Sequence, residues 1–256
     1  GILSFSRDEA IQYVAIYQKK KNGLDILKFV PASGSATRMF QFLSSFITDF
    51  DPEKQTFEAY IKESGNVNAE IFFEYLSQFA FYDSLQKYIE QHKLLEGLSP
   101  DQQKLRIAKL LLEEEPFNYK NKLKGLFPFH KYGEKVVTAF EEHFREAFLY
   151  ASQGEIVNIH FTINKEYTSL FLNTLAEIRP NLEKHYGVHF EVSFSHQSES
   201  TDTVALTLDN EYFRDRNNQL LFRPAGHGAL LKNLNELNAD IIFIKNIDNV
   251  VAEAYT

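Results

Sequence analysis

Four stretches of the chain carry residues whose types and spacing could do phosphate chemistry. The first, "VPASGSATRMF", runs from Val30 to Phe40. An apolar strand ends, Ala32, Ser33, Gly34, Ser35 and Ala36 follow, and a helix is expected to begin near Thr37. Small residues let a phosphate approach the main chain, and a helix start behind them points backbone N–H groups at it. Arg38 adds a planar guanidinium fork. The second stretch, "KLKGLFPFHKY", sets Lys124 before Gly125 at a strand mouth, where an ammonium can meet phosphate as a point charge. In the third, "SFSHQSESTDTVA", Gln197 both donates and accepts, which suits the edge of a nucleobase. The fourth is "LLFRPAGHGALLKNLNELNADIIFIKNIDNV". Gly226 and Gly228 flank His227 and allow a ligand to pass close over the backbone. Asp248 follows an apolar strand, and the C-terminal ends of parallel strands are where open α/β sheets bind ligands. Its carboxylate could hold Mg²⁺, which takes one or two carboxylates plus substrate phosphates. Each stretch also has a plain structural explanation: a strand–helix turn, a surface lysine, a polar loop and a turn-forming Asp.

Other chemistries find less support. The absence of Cys excludes disulfides and thiolate metal sites. Neither a Gly-x-Ser-x-Gly elbow nor a Gly-x4-Gly-Lys-Ser/Thr loop occurs, so neither an α/β-hydrolase nor a P-loop NTPase is supported. His185 and His189 have helical spacing, but Gly187 between them argues against a shared helix face and a zinc site.

The net charge of −8 and the pI near 5.5 imply no general affinity for nucleic acid. An acidic protein holds a polyanion only with a local device such as a loop of N–H groups, a few basic side chains or a metal. No apolar run approaches the roughly 20 residues that span a bilayer. The opening "GILSFSRDEAIQ" does not read as a signal peptide, so a cytoplasmic protein without membrane contact is expected.

The elements that must position these residues are partly legible. Ser6 and Glu9 form a capping box, which predicts a helix from about Arg7 to Lys20. A buried strand is expected over Ile26 to Val30, closed by Pro31. Residues 51–115 show apolar positions at helical spacing throughout, with Ser99 and Pro100 marking a helix start. Phe72, Phe73, Tyr75, Phe79, Phe81 and Tyr82 are read as packing. A helix follows from about Glu134 to Ala151, then a strand in "EIVNIHFTI", then a helix in which Pro180 marks a kink or break. "VHFEVSFS" and "TVALTL" read as strands, "GALLKNLNEL" as a helix, and "ADIIFIKNI" as a strand buried on both faces. Alternating strands and helices predict an α/β fold with a three-layer, mostly parallel sheet. The core would be residues 1–50 and 116–256, with 51–115 as an all-helical insertion.

The order of the four stretches resembles the sugar-1-phosphate nucleotidyltransferases, and the UDP-sugar pyrophosphorylases in particular, in the "PAGHG" turn and the "NIDN" strand end. "FRPAGHGALLKNL" and "FIKNIDNVV" resemble domain-of-unknown-function family 4301 over essentially the whole chain. The resemblance implies a nucleotide-diphospho-sugar transferase-like fold and a Mg²⁺- or Mn²⁺-dependent enzyme. It would join an NTP, expected to be UTP, to a sugar phosphate. Ala32 to Arg38 would wrap the phosphates and Lys124 would neutralise charge there. Gln197, Gly226, His227 and Gly228 would line base and ribose. Asp248 would hold the metal, expected only with bound nucleotide. The loop departs from the family pattern: Ala32 and Ser33 replace a glycine pair and Ala36 a third glycine, and a Cβ makes positive φ less available. The pyrophosphorylases continue past the "NIDN" strand, so the chain is expected to be the N-terminal part of a longer protein. The alternative is a non-catalytic module that binds or senses a sugar nucleotide.

Overall fold

A computed structural model describes residues 3–34 and 36–255. The chain forms two compact units, Gly1–Ser33 with His143–Thr256, and Gly34–Glu142. In chain order the elements are α1 (Arg7–Lys20), β1 (Ile26–Pro31), α2 (Gln41–Asp49), α3 (Phe57–Ser64), α4 (Val67–Glu74), α5 (Tyr82–His92), α6 (Pro100–Glu113), β2 (Pro128–Tyr132), β3 (Lys135–Thr138), α7 (Ala139–Ala151), β4 (Ser152–Gln153), β5 (Ile156–Ile163), α8 (Thr168–Tyr186), β6 (His189–His196), β7 (Thr203–Val204), β8 (Phe222–Arg223), α9 (Leu231–Asn235) and β9 (Ile241–Ile244).

The first unit is a mixed α/β structure. Strands β6, β5, β1 and β9 pair in that order and all run parallel, with β4 antiparallel to the start of β5. Strand β5 explains why the sheet has two unlike faces. Val157, Ile159, Phe161 and Ile163 are fully buried on one side. There Phe144 of α7 lies 5.9 Å from Phe161 and 5.2 Å from Phe190, ring centre to ring centre. Asn158, His160, Thr162 and Asn164 alternate with them, because successive side chains of a strand point to opposite faces. The register sets His160 beside Ser193 and Thr162 beside Ser195. His160 is 4% exposed, yet both ring nitrogens are satisfied, Nδ1 at 2.8 Å from Ser193 Oγ and Nε2 at 2.8 Å from Ser195 Oγ. Asn233 of α9 adds bonds from Nδ2 to Ser195 Oγ and to the His196 carbonyl.

The apolar face also buries charge. Lys28 of β1 is 0% exposed, with Nζ 2.6 Å from Glu146 Oε2 and 3.2 Å from the His143 carbonyl. Lys245 pairs with the other Glu146 oxygen, and Tyr150 donates to Oε2 at 3.3 Å. Burial alone would raise the Glu146 carboxyl, but the two lysines outweigh it and hold its pKa below the usual value. This cluster ties β1, α7 and the segment after β9 together.

His143 donates from Nε2 to the Ile247 carbonyl at 3.1 Å and is fully buried. Burial first, and then the nearby Lys28, hold its pKa well below the ordinary value, and burial lowers His160 as well. The unfolded chain takes up these protons near pH 6.5, whereas the folded protein resists them. Their contribution to stability is therefore present above about pH 6.5 and is lost on acidification. Each contributes a slope of about 1.4 kcal/mol per pH unit between the two pKa values. The urea midpoint should change little near pH 7.5 and fall from about pH 6.5 to 5.5, and a flat profile over that range would contradict the burial of both histidines as neutral groups.

The second unit is helical with one hairpin. Phe46 of α2 is its centre, with the rings of Phe50, Phe57, Tyr60 and Phe73 at 4.9 to 5.6 Å. Phe72 and Phe81 are buried in the same cluster, whereas Tyr75 and Phe79 stay 43% and 39% exposed. Helix α6 opens as expected, on a capping box of Ser99 with Gln102 and with Pro100 in its first turn.

Several sequence expectations are corrected. The helix expected from about Glu134 begins at Ala139, because Val136, Val137 and Thr138 are β-branched and favour the strand β3. Gly133, at φ 61°, turns β2 back onto it. Pro180 does not break α8, which runs unbroken to Tyr186 and ends on Gly187 at φ 66°. Strand β9 pairs only with β1 among the described residues, so it is half-buried at an edge, with Ile244 58% exposed. "TVALTL" is a strand only at Thr203–Val204; beyond it single bridges join Leu206 to Tyr212 and Arg214 to Leu220. The helix after the Gly-His-Gly turn is short, a 3-10 turn over His227–Leu230 followed by α9.

Candidate functional site

Parallel pairing brings the carboxyl ends of four strands to one edge of the first unit. Hydrogen bonding continues past the strands: Ala32 N–H donates to the Thr162 carbonyl at 2.8 Å, and Ile247 N–H to the Pro31 carbonyl at 3.1 Å. Asn164 Nδ2 donates to the Ser33 carbonyl at 3.2 Å. Ala32, Ser33, Asn164, Gln197 and Asp248 therefore all belong to this edge. Asp248 is half-buried directly after the buried Ile247, in a turn closed by Asn249 N–H on the Asn246 carbonyl.

A cavity of about 530 Å³ opens at the ends of β5 and β6, lined in part by Asn164, Lys165, Glu166, His196, Gln197, Asp202 and Pro224. Gln197 Nε2 is 3.4 Å from Asp202 Oδ1, and His196 Nε2 is 2.9 Å from Thr168 Oγ1. Of the lining, sequence reasoning had singled out Gln197 alone. Asn164 was accessible to it, as the polar residue at the end of the alternating strand β5; Lys165 and Glu166 carried no signal.

Gly226 precedes the 3-10 turn with φ −68°, a conformation open to any residue. A Cβ at Gly226 or Gly228 would meet nothing within 4 Å. Among the described residues no contact therefore demands glycine at either position. Ser35 and the His227 side chain lie outside the described residues.

In the second unit the loop after β1 and the Lys-Gly-Leu segment are zipped together. Lys124 N–H donates to the Gly34 carbonyl at 3.1 Å, Ala36 N–H to the Lys122 carbonyl at 2.8 Å, and Thr37 Oγ1 to the Lys120 carbonyl at 2.9 Å. The aliphatic stem of Lys124 runs along Gly34, where an added Cβ would stand 3.6 Å from Lys124 Cδ. The helical start expected near Thr37 is present, as a 3-10 turn over Thr37–Phe40 leading into α2. Arg38 is exposed and lines a separate polar cleft with Gln41, Asp49 and Asn68, to which Lys124 does not contribute.

The family model described as a domain of unknown function, DUF4301, matches residues 1–256. The chain belongs to this family. No curated protein matches the chain, and no solved structure matches it. The description of DUF4301 names no activity. Among the described residues no group of three or more His, Asp or Glu side chains is placed to hold a metal ion, so a cation here would need ligand oxygens to complete its shell. No described helix is long and apolar enough to cross a membrane.

Proposed function

We propose that this DUF4301 protein is a Mg²⁺-dependent nucleotidyltransferase of the nucleotide-diphospho-sugar transferase-like, three-layer type, acting on UTP and a sugar phosphate. One observation carries the proposal: the stem of Lys124 runs along Gly34, in the small-residue loop that follows β1. A phosphate above that loop would meet a main chain without a Cβ and an ammonium at once. Gln197 would face the base, Gly226 and Gly228 would let the nucleoside pass over the backbone, and Asp248 would supply one carboxylate to the metal. Bound Mg²⁺ supplies charge neutralisation at the phosphates. A sugar phosphate oxygen attacks the α-phosphorus, the bond to the β-phosphate breaks, and pyrophosphate leaves with the electron pair. Lys124 stabilises the charge that gathers on the phosphoryl oxygens, and no protein nucleophile is required. Arg38 is given no part in this step, since its side chain lines the cleft with Gln41 and Asp49.

A second reading has its own observation. The N–H groups of Ala32 and Ala36 are both spent on protein carbonyls, so fewer loop donors remain for an anion. That favours a module that binds a sugar nucleotide without turning it over. The test is pyrophosphate release by the purified protein from UTP and a panel of sugar 1-phosphates, with and without Mg²⁺. Release with at least one sugar, dependent on Mg²⁺, is expected. UTP binding without turnover on any sugar would leave the second reading, and no UTP binding would remove both.

A further inference from the structure

The helical unit holds an opening that the proposed transfer step does not use. A cavity of about 390 Å³ is walled by Phe40, Phe72, Phe81 and Phe127, with Ile71 and Phe79 at its mouth. It lies in the same unit as the tightly packed cluster around Phe46, so loose packing does not account for it. Ile71 is 48% and Phe79 39% exposed, which leaves apolar surface facing water that closer packing would have removed. Next to it is the polar cleft of about 550 Å³ that contains Arg38. The two share Met39, Phe42 and Asn68 in their linings, so they adjoin. Both fall within the range of roughly 300 to 1,000 Å³ typical of small-molecule sites.

The polar lining divides into two kinds of residue. Asn66 and Ser64 are committed to the fold: Asn66 Nδ2 donates to the Phe42 carbonyl at 2.8 Å and to Tyr60 Oη at 3.0 Å, and Ser64 Oγ to the Tyr60 carbonyl at 2.8 Å. Arg38, Gln41, Ser45, Asp49 and Asn68 make no side-chain hydrogen bond or ion pair among the described residues. A phenylalanine-lined hollow thus lies beside uncommitted donors, one guanidinium among them. We propose that this unit binds a small amphiphile, with an aromatic or short acyl body in the phenylalanine cavity and a head of single negative charge facing Arg38. The carboxylate of Asp49 in the same cleft disfavours a more highly charged head. Ile71 and Phe79 set the fit of the body, and Arg38 sets the preference for an anion.

The probe is 1-anilinonaphthalene-8-sulfonate, an aromatic body with one sulfonate, followed by fluorescence and calorimetry on the whole chain. N-phenyl-1-naphthylamine is the same body without the charge. One saturable site is expected, undisturbed by excess UTP. Ile71→Asp should weaken it about tenfold or more, because a carboxylate enters an apolar wall. Ile11→Asp, at an exposed position of α1 outside both linings, should leave it unchanged. Arg38→Gln should weaken the sulfonate roughly tenfold and spare the neutral probe. Circular dichroism checks that each variant folds, with Phe79→Asp as the substitute wall variant if Ile71→Asp does not. Displacement by UTP, unsaturable binding, equal effects of Ile71→Asp and Ile11→Asp, or equal effects of Arg38→Gln on both probes would each overturn the proposal.

Discussion

Glu146→Ala should cost roughly 3–5 kcal/mol of folding stability, the usual result of breaking a buried ion pair from one side. Lys28 is 0% exposed and Glu146 1%, so neither charge reaches water. Removing the carboxylate strands the Lys28 ammonium against the His143 carbonyl and the Tyr150 ring, 5.1 Å from its centre, and takes the partner of Lys245 away as well. Neutralising both sides is a different matter. Lys28→Met combined with Glu146→Leu should recover most of the loss, because apolar groups of similar volume often replace a buried pair at little cost. Urea unfolding of the two single variants and the double variant measures this directly. If Glu146→Ala costs less than about 1 kcal/mol, the pair is hydrated in solution and the burial argument is wrong.

Lys124→Ala should lower pyrophosphate release by about 10²–10³-fold, the usual effect of losing one preorganised charge-stabilising donor. The fold should survive, because the hydrogen bond from Lys124 to Gly34 is made by its backbone N–H, which alanine keeps. The loss should fall mainly on kcat, with a smaller effect on UTP affinity, since charge at the phosphates grows on the way to the transition state. Lys124→Arg should recover part of the rate by keeping the charge. Equal losses in kcat and in thermal stability would mean that the lysine only holds the loop together.

The sequence by itself determined what local chemistry decides. The capping box at Ser6 with Glu9 forms as read, and so does the helix start at Ser99 and Pro100, because a cap involves only residues a few positions apart. The alternation of β5 and β6 was equally legible, as was the run of helices over 51–115, which falls inside the second unit. The signatures "FRPAGHGALLKNL" and "FIKNIDNVV" pointed to the family that the whole-chain match shows. Of the candidate site, the sequence supplied residue types but not neighbours. That His160 would sit between Ser193 and Ser195, and that Lys28, Glu146 and Lys245 would share one buried cluster, follow from strand register and from helix α7 packing on the sheet; that Lys124 would lie on Gly34 follows from backbone bonds between two segments distant in sequence. The edge position of β9 has the same origin: an apolar run of four residues looks alike at the centre of a sheet and at its rim. Local periodicity says which way a side chain points along its own element; which distant element it then meets is decided only when the strands pair and the core closes.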